Sequence, residues 1–347
     1  MTISIGLMMF PALMIFIFIG FPVAFSLMGV AVLFGYLRFG DLLVHQLVAK
    51  VDDVASYYVL SAVPLFIFMG CMLEKSGISE KLFEAMHLIT RKLPGGLAVA
   101  TIILCVFFAA ASGVVGAAES VVGLMVITVM LRHGYNKGLI SGTICAGGSL
   151  GTIIPPSVVV VILSPIAGVG VGNLFVGIMI PGLILAALYI FYILIRCTIW
   201  PNDGPSDHTE TQNGSLIHNI WIIISALVPL LTLIFSVLGS IMLGWATPTE
   251  AGAMGALGTI FLTILYRTFK FSFLSEAFIK TLRITSMIVT ILLGGMMFAS
   301  IFVALGGLSV VRNFFEVSNL TVWPTILIFM LITFIAGFVL EFISIMI

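Results

Sequence analysis

The residues most able to do chemistry lie at 145–163, "CAGGSLGTIIPPSVVVVIL". Two chemistries fit them. Gly147-Gly148-Ser149-Leu150-Gly151 matches G-x-S-x-G, the turn that presents a serine nucleophile between a strand and a helix. Continued through Pro155-Pro156, the same residues match a membrane helix that stops and restarts. The freed carbonyls of such a break face a cation, and the N-terminus of the second half offers dipole and N–H groups to an anion. Proline loses nothing at a helix start, where its missing N–H would have no acceptor. Close packing explains Gly142, Gly147 and Gly151 taken alone, but it gives no role to two prolines. A nucleophile also needs a base. His45, His87, His133, His208 and His218 fall in loops or at the ends of apolar runs, and none is placed beside Ser149. A broken helix is therefore the leading reading. An intramembrane serine hydrolase using Ser149 is the alternative.

Three carboxylates sit in apolar surroundings. Glu119 falls in "ASGVVGAAES", 111–120, and Glu341 in the last apolar segment. Ionisable groups inside a bilayer are costly and point to function unless they pair. Glu250 differs: "ATPTEA" places Thr247 as a helix cap, Pro248 at the first position and Glu250 at the third, a capping box. That glutamate is assigned to structure.

The elements that carry these residues are membrane helices. Of 347 residues, 61% are hydrophobic and 8% charged, against about 25% charged in soluble domains, and mean hydropathy is +1.30. Apolar runs recur and strand-type alternation does not, so the spans are helical. Segments fall at 3–20, 22–39, 58–75, 96–111, 117–131, 138–168, 174–199, 218–242, 245–266, 284–304 and 322–347. Zero formal net charge argues against a nucleic-acid partner. Cys71, Cys105, Cys145 and Cys197 lack paired spacing and are expected to be buried free thiols. The first residues lack the basic cluster and cleavage site of a signal peptide and read as a first span.

A polar stretch, "PNDGPSDHTETQNGS" (201–215), reads as a flexible loop between two related halves. Gly77, Ser79 and Pro94 recur as Gly307, Ser309 and Pro324; Pro22, Met28 and Gly29 recur as Pro248, Met254 and Gly255. The organisation expected is a first repeat at 1–173, a linking helix and cytoplasmic loop at 174–217, and a second repeat at 218–347. The clusters around Lys75–Lys92, Arg132–Lys137, Arg196 and Arg267–Arg283 put eleven of the fourteen basic residues on one face. By the positive-inside rule that face is cytoplasmic and the N-terminus periplasmic. Segments 96–111 and 117–131 are then too short to span. They form a re-entrant hairpin, 96–131, with its tip at 111–120, facing a broken helix at 138–168. Loops 75–92 and 305–322 then face opposite sides, which requires an inverted repeat.

"GGSLGTIIPPS" (147–157), Ser112-Gly113, "ATPTEA" (246–251) and "LPGG" (93–96) together resemble the large membrane subunit of tripartite ATP-independent periplasmic (TRAP) transporters, along the whole chain. The resemblance implies an all-α, inverted-repeat, elevator-type secondary transporter of the bacterial inner membrane, driven by sodium ions (Na+). It implies uptake of a small organic acid, such as sialic acid or a dicarboxylate, and no enzyme activity. A small membrane subunit and a periplasmic solute-binding protein are the implied partners within the lipid bilayer. Carried over by motif, Ser112, Val114, Gly151, Ile154 and Pro156 form a sodium site, mainly through backbone carbonyls. Gly337 and Glu341 hold the place of a second tip, where members often carry Asp. Ser112, Glu119 and Ser157 are the candidate substrate contacts.

The partner of the first broken helix would fall at 377–387, beyond residue 347, so the chain is expected to be truncated within its second hairpin. An ion channel is the remaining alternative, though no filter motif is present.

Overall fold

The computed structural model describes residues 5–113, 115–205, 216–318, 321–340 and 342–346; at 112, 115–118, 120–121, 216–218 and 343 it describes the backbone alone. Every described element is helical. In chain order these are α1 (Met9–Ile19), α2 (Val23–Phe39), α3 (Leu42–Ser56), α4 (Ala62–Lys75), α5 (Ile78–Thr90), α6 (Gly96–Ser112), α7 (Val115–Arg132), α8 (Lys137–Ile153) and α9 (Val158–Ala167). There follow α10 (Val171–Ile199), α11 (Leu216–Ile234), the one-turn α12 (Ser240–Met242), α13 (Pro248–Leu265), α14 (Phe271–Ala304), α15 (Gly307–Val317), α16 (Val322–Ala336) and α17 (Phe342–Met346). Among the described residues six stretches are long and apolar enough to cross a membrane: 58–75, 137–167, 171–199, 219–242, 248–265 and 271–304. The chain is an all-α integral membrane protein.

Two compact units divide it, 1–58 with 284–347, and 59–283. In the first, Met9, Leu13, Leu27, Val30, Phe298 and Ile301 make the core, and Phe10 meets Phe298 edge-on at 5.5 Å. In the second, Leu82, Leu97, Phe108, Val122 and Leu150 are buried together. Here α13 lies on α4, its Gly252 and Gly255 admitting Leu65 and Met69, the close approach that small residues permit between apolar helices.

The predicted capping box is present. Thr247 Oγ1 accepts from the Glu250 N–H at 3.3 Å, and Glu250 Oε2 accepts from the Thr247 N–H at 2.7 Å. Residues that the charge bias placed on one face also meet. Lys75 pairs with Glu276 at 2.9 Å and Lys280 with Glu74 at 2.6 Å, while Lys81 stands over the Tyr266 ring.

Four expectations change. Residues 75–92 and 305–322 do not run as loops: they hold α5 and α15. In α5 the apolar residues Ile78, Leu82, Phe83 and Met86 are all buried, the one-face spacing that makes a polar stretch helical. The segment expected at 284–304 begins at Phe271, because charged residues at a membrane edge do not end a helix when partners such as Glu74 receive them. The hairpin turn is tighter than 111–120, as described below. Cys145 is exposed; Cys71, Cys105 and Cys197 are buried, and all four thiols are free.

The start of the polar linker is tied down. Asp203 accepts from Arg196 Nε and Nη2, both at 3.0 Å, and from Asn136 Nδ2 at 3.0 Å. Its carbonyl accepts from the Asn136 N–H at 2.9 Å, and that of Gly204 from the Gly95 N–H at 3.1 Å. One short turn thus joins the base of α6, the cap of α8 and the end of α10. Residues 206–215 lie outside the described residues.

Candidate functional site

Pro155 and Pro156 end α8 by removing two donors. In a continuous helix their N–H groups would bond to the carbonyls of Gly151 and Thr152. Ile154 is the last residue held: its N–H donates to the Leu150 carbonyl at 2.8 Å, and its own backbone is extended at φ −80°, ψ 123°. The Pro155-Pro156 bond is cis. Ser157 restarts the chain as the cap of α9, and its hydroxyl donates back to the Thr152 carbonyl at 2.7 Å. Residues 154–157 are buried, as irregular backbone at membrane depth must be.

The turn of the hairpin meets this break. α6 runs to Ser112, Gly113 takes a left-handed conformation at φ +62°, and α7 begins at Val115. Glycine takes this left-handed conformation at no steric cost. Packing requires glycine there as well, since a Cβ at 113 would lie 2.5 Å from the Pro156 carbonyl oxygen. The Gly113 carbonyl accepts from the Val158 N–H at 3.3 Å. In an unbroken helix that N–H would serve Ile154. So the Gly151 carbonyl has no helical donor because residue 155 is proline, and the Ile154 carbonyl has none because Gly113 has taken it. Both carbonyls belong to the set nominated from the sequence. Neutral backbone oxygens of this kind suit a hard monovalent cation, by analogy with other hard ions.

Glu119 does not stand at the turn. It is the fifth residue of α7, seated against Gly148 of α8, one turn before the break. A Cβ on Gly148 would fall on the Glu119 side chain, 2.5 Å from Oε1, and one on Gly147 would lie 2.6 Å from Cys105 Sγ. The two glycines of "GGSLG" are therefore notches for a carboxylate and a thiol. The sequence named the glycines and the acid without signalling that they meet.

Ser149 lies inside α8 and its hydroxyl donates to the Ala146 carbonyl at 2.8 Å. This is not the strand-to-helix turn a nucleophile requires. Gly337 caps α16 in the other compact unit, its N–H donating to Thr333 at 3.0 Å. Val114 and Glu341 lie outside the described residues, and Ser112 is described by its backbone alone. Among the described residues no three His, Cys, Asp or Glu side chains gather as a metal-binding group.

A helical membrane protein with a hairpin turn bonded into a break in a second helix belongs, by its architecture, with the secondary transporters. The family described as tripartite ATP-independent periplasmic transporter, DctM component, matches residues 10–347, and the chain belongs to that family. It is 29% identical over 301 residues to the C4-dicarboxylate TRAP transporter large permease protein DctM of Pseudomonas aeruginosa, covering 86% of this chain and 68% of that protein. It is 29% identical to the isethionate TRAP transporter permease protein DctMQ of Oleidesulfovibrio alaskensis, covering 83% of this chain and 44% of that one. The sialic acid TRAP transporter large permease protein SiaM of Vibrio cholerae is 28% identical, with 80% of this chain and 64% of SiaM covered. The chain thus spans between under a half and about two thirds of these relatives' lengths.

Proposed function

We propose that this chain is the large permease subunit of a sodium-coupled carrier that takes up a small organic acid delivered by a periplasmic solute-binding protein. The observation that carries the reading is the Val158 N–H donating to the Gly113 carbonyl. It holds the break open and leaves the carbonyls of Gly151 and Ile154 without helical donors. Sodium is cargo on this reading, held by those two carbonyls with Pro156, Ser112 and Val114, and by Gly337 and Glu341 at a second tip. The organic acid approaches the start of α9, where helix dipole and N–H groups favour an anion, with Ser112, Glu119 and Ser157 as its contacts.

Several observations support the finer points. The relatives are named for a C4-dicarboxylate, isethionate and sialic acid, all small organic acids. The Gly113 carbonyl at the end of α6 is bonded to Val158 at the restart of the broken helix, which supports a re-entrant hairpin. Helices α5 and α15 each open after a left-handed glycine, Gly77 at φ +72° and Gly306 at φ +80°, the latter one residue before the Gly307 that the sequence pairs with Gly77, which supports a repeat. The resemblance to the family supports a small membrane subunit, and the name DctMQ on a relative of which this chain covers 44% agrees with it. Charge bias supports the bacterial inner membrane with a periplasmic N-terminus.

The test is uptake into proteoliposomes holding the chain with its partner subunits and solute-loaded binding protein. Uptake should require an inward sodium gradient. Sodium flux without the acid would indicate a channel, and uptake indifferent to sodium would overturn the coupling.

A further inference from the structure

A cavity of about 540 Å³ opens between α6, α8 and α10, away from the break. Its apolar wall includes Ile102, Leu139 and Gly142. Its other wall is one face of α10, where Tyr189, Tyr192 and Arg196 follow at i, i+3 and i+7. A second depression continues it past Tyr192 and Arg196 to Trp200 and Asp203. The two depressions share Tyr192 and Arg196, one reaching apolar Ile102 and the other Trp200 and Asp203.

Its depth follows from the length of α10. Twenty-nine residues make a rod of about 44 Å, while the hydrocarbon layer is roughly 30 Å thick. The end that carries charge and tryptophan is the one with Arg196 and the cap residue Trp200, the composition of headgroup level, where tryptophan and tyrosine concentrate. The apolar end lies deeper. Only 17% of the most apolar window of α10 is buried within the chain, so most of this helix presents apolar surface outwards.

The polar end is fixed. Arg196 donates to Asp203 through Nε and Nη2 and to Tyr192 Oη through Nη1 at 3.1 Å. A guanidinium carries five N–H donors, so beyond these three bonds one remains on each Nη. Held between a carboxylate and a phenol, it presents those donors at a set position. Arginine matches phosphate oxygens in this way.

We propose that this cleft is a binding site for one phospholipid, with an acyl chain between α8 and α10 and the headgroup phosphate at Arg196. The volume lies within the range of built ligand sites, roughly 300–1,000 Å³. Apolar depth and interfacial cationic rim match the two ends of that molecule, and the Asp203 carboxylate beside the arginine suits a headgroup carrying an amine.

The experiment uses the intact chain, purified in detergent from membranes supplemented with phosphatidylethanolamine and phosphatidylglycerol, with retained lipid counted by native mass spectrometry. Gly142 lines the cavity and a Cβ there meets nothing within 4 Å, so Gly142→Leu directs a side chain into it. Gly177, also on open space but outside the lining, is the control as Gly177→Leu. The parent and Gly177→Leu should retain one phospholipid through detergent exchange, and Gly142→Leu should lose it at least tenfold more readily. Equal retention by Gly142→Leu, or none by the parent, would overturn the site. A photo-crosslinker at Gly142 that captures a protein subunit in place of lipid would also overturn it. None of these results depends on sodium coupling.

Discussion

The N–H of Val158 donates to the carbonyl of Gly113 at 3.3 Å, so the turn of a hairpin supplies the acceptor that keeps a second helix from closing. Forty-five residues apart in sequence, the two positions together leave the carbonyls of Gly151 and Ile154 free for another ligand.

Replacing Pro155 and Pro156 together by alanine should let α8 run into α9. Each proline disfavours a helix interior by about 3 kcal/mol relative to alanine. The new N–H groups would bond Gly151 and Thr152. The double variant should insert and unfold at no lower temperature than the parent, while sodium-driven uptake falls to background. Normal uptake by a folded double variant would remove the break from the mechanism.

Gly148→Ala should destabilise the unit by about 1–3 kcal/mol, the usual cost of overpacking, because the added methyl overlaps Glu119. Adding Glu119→Ala should recover most of that loss. Thermal unfolding of the four proteins of the cycle measures the coupling. Additive effects would mean that the two residues do not meet.

Thr247→Ala should lower stability by about 0.5–2 kcal/mol through loss of the cap, whereas Glu250→Gln, whose amide oxygen still accepts from the Thr247 N–H, should keep the box. The sodium dependence of transport should not change, since Glu250 is committed to the start of α13. A shifted sodium requirement would give this glutamate a role beyond capping.

Asp203→Ala removes the acceptor shared by Arg196 and Asn136. Their side chains are not fully buried, Arg196 at 28% and Asp203 at 22% exposure, so the loss should be about 1–2 kcal/mol. Proteolysis of the 201–215 linker should accelerate, which checks that the knot and not the loop itself holds this end.

What was legible in the sequence is what depends on covalent chemistry over short range. Membrane class follows from composition. The end of α8 follows from two residues without N–H groups, and the start of α13 from Thr247, Pro248 and Glu250, whose spacing alone satisfies the first turn. The carbonyls of Gly151 and Ile154 were nominated by the resemblance to the family, and the structure places both at the break that the prolines announce. Tertiary structure decided the rest. Helix α5 looked like a loop because its polar face is visible in sequence, whereas the burial of Ile78, Leu82 and Met86 exists only once α6 and α11 cover it. The tip expected at 111–120 shrank to a turn at Gly113 because a close approach to Pro156 admits no side chain. Glu119 met Gly148, and Asp203 met Arg196 and Asn136, through separations that carry no local signal. Those contacts are settled by which helices pack side by side, and hydrophobic periodicity states which face is buried without stating against what.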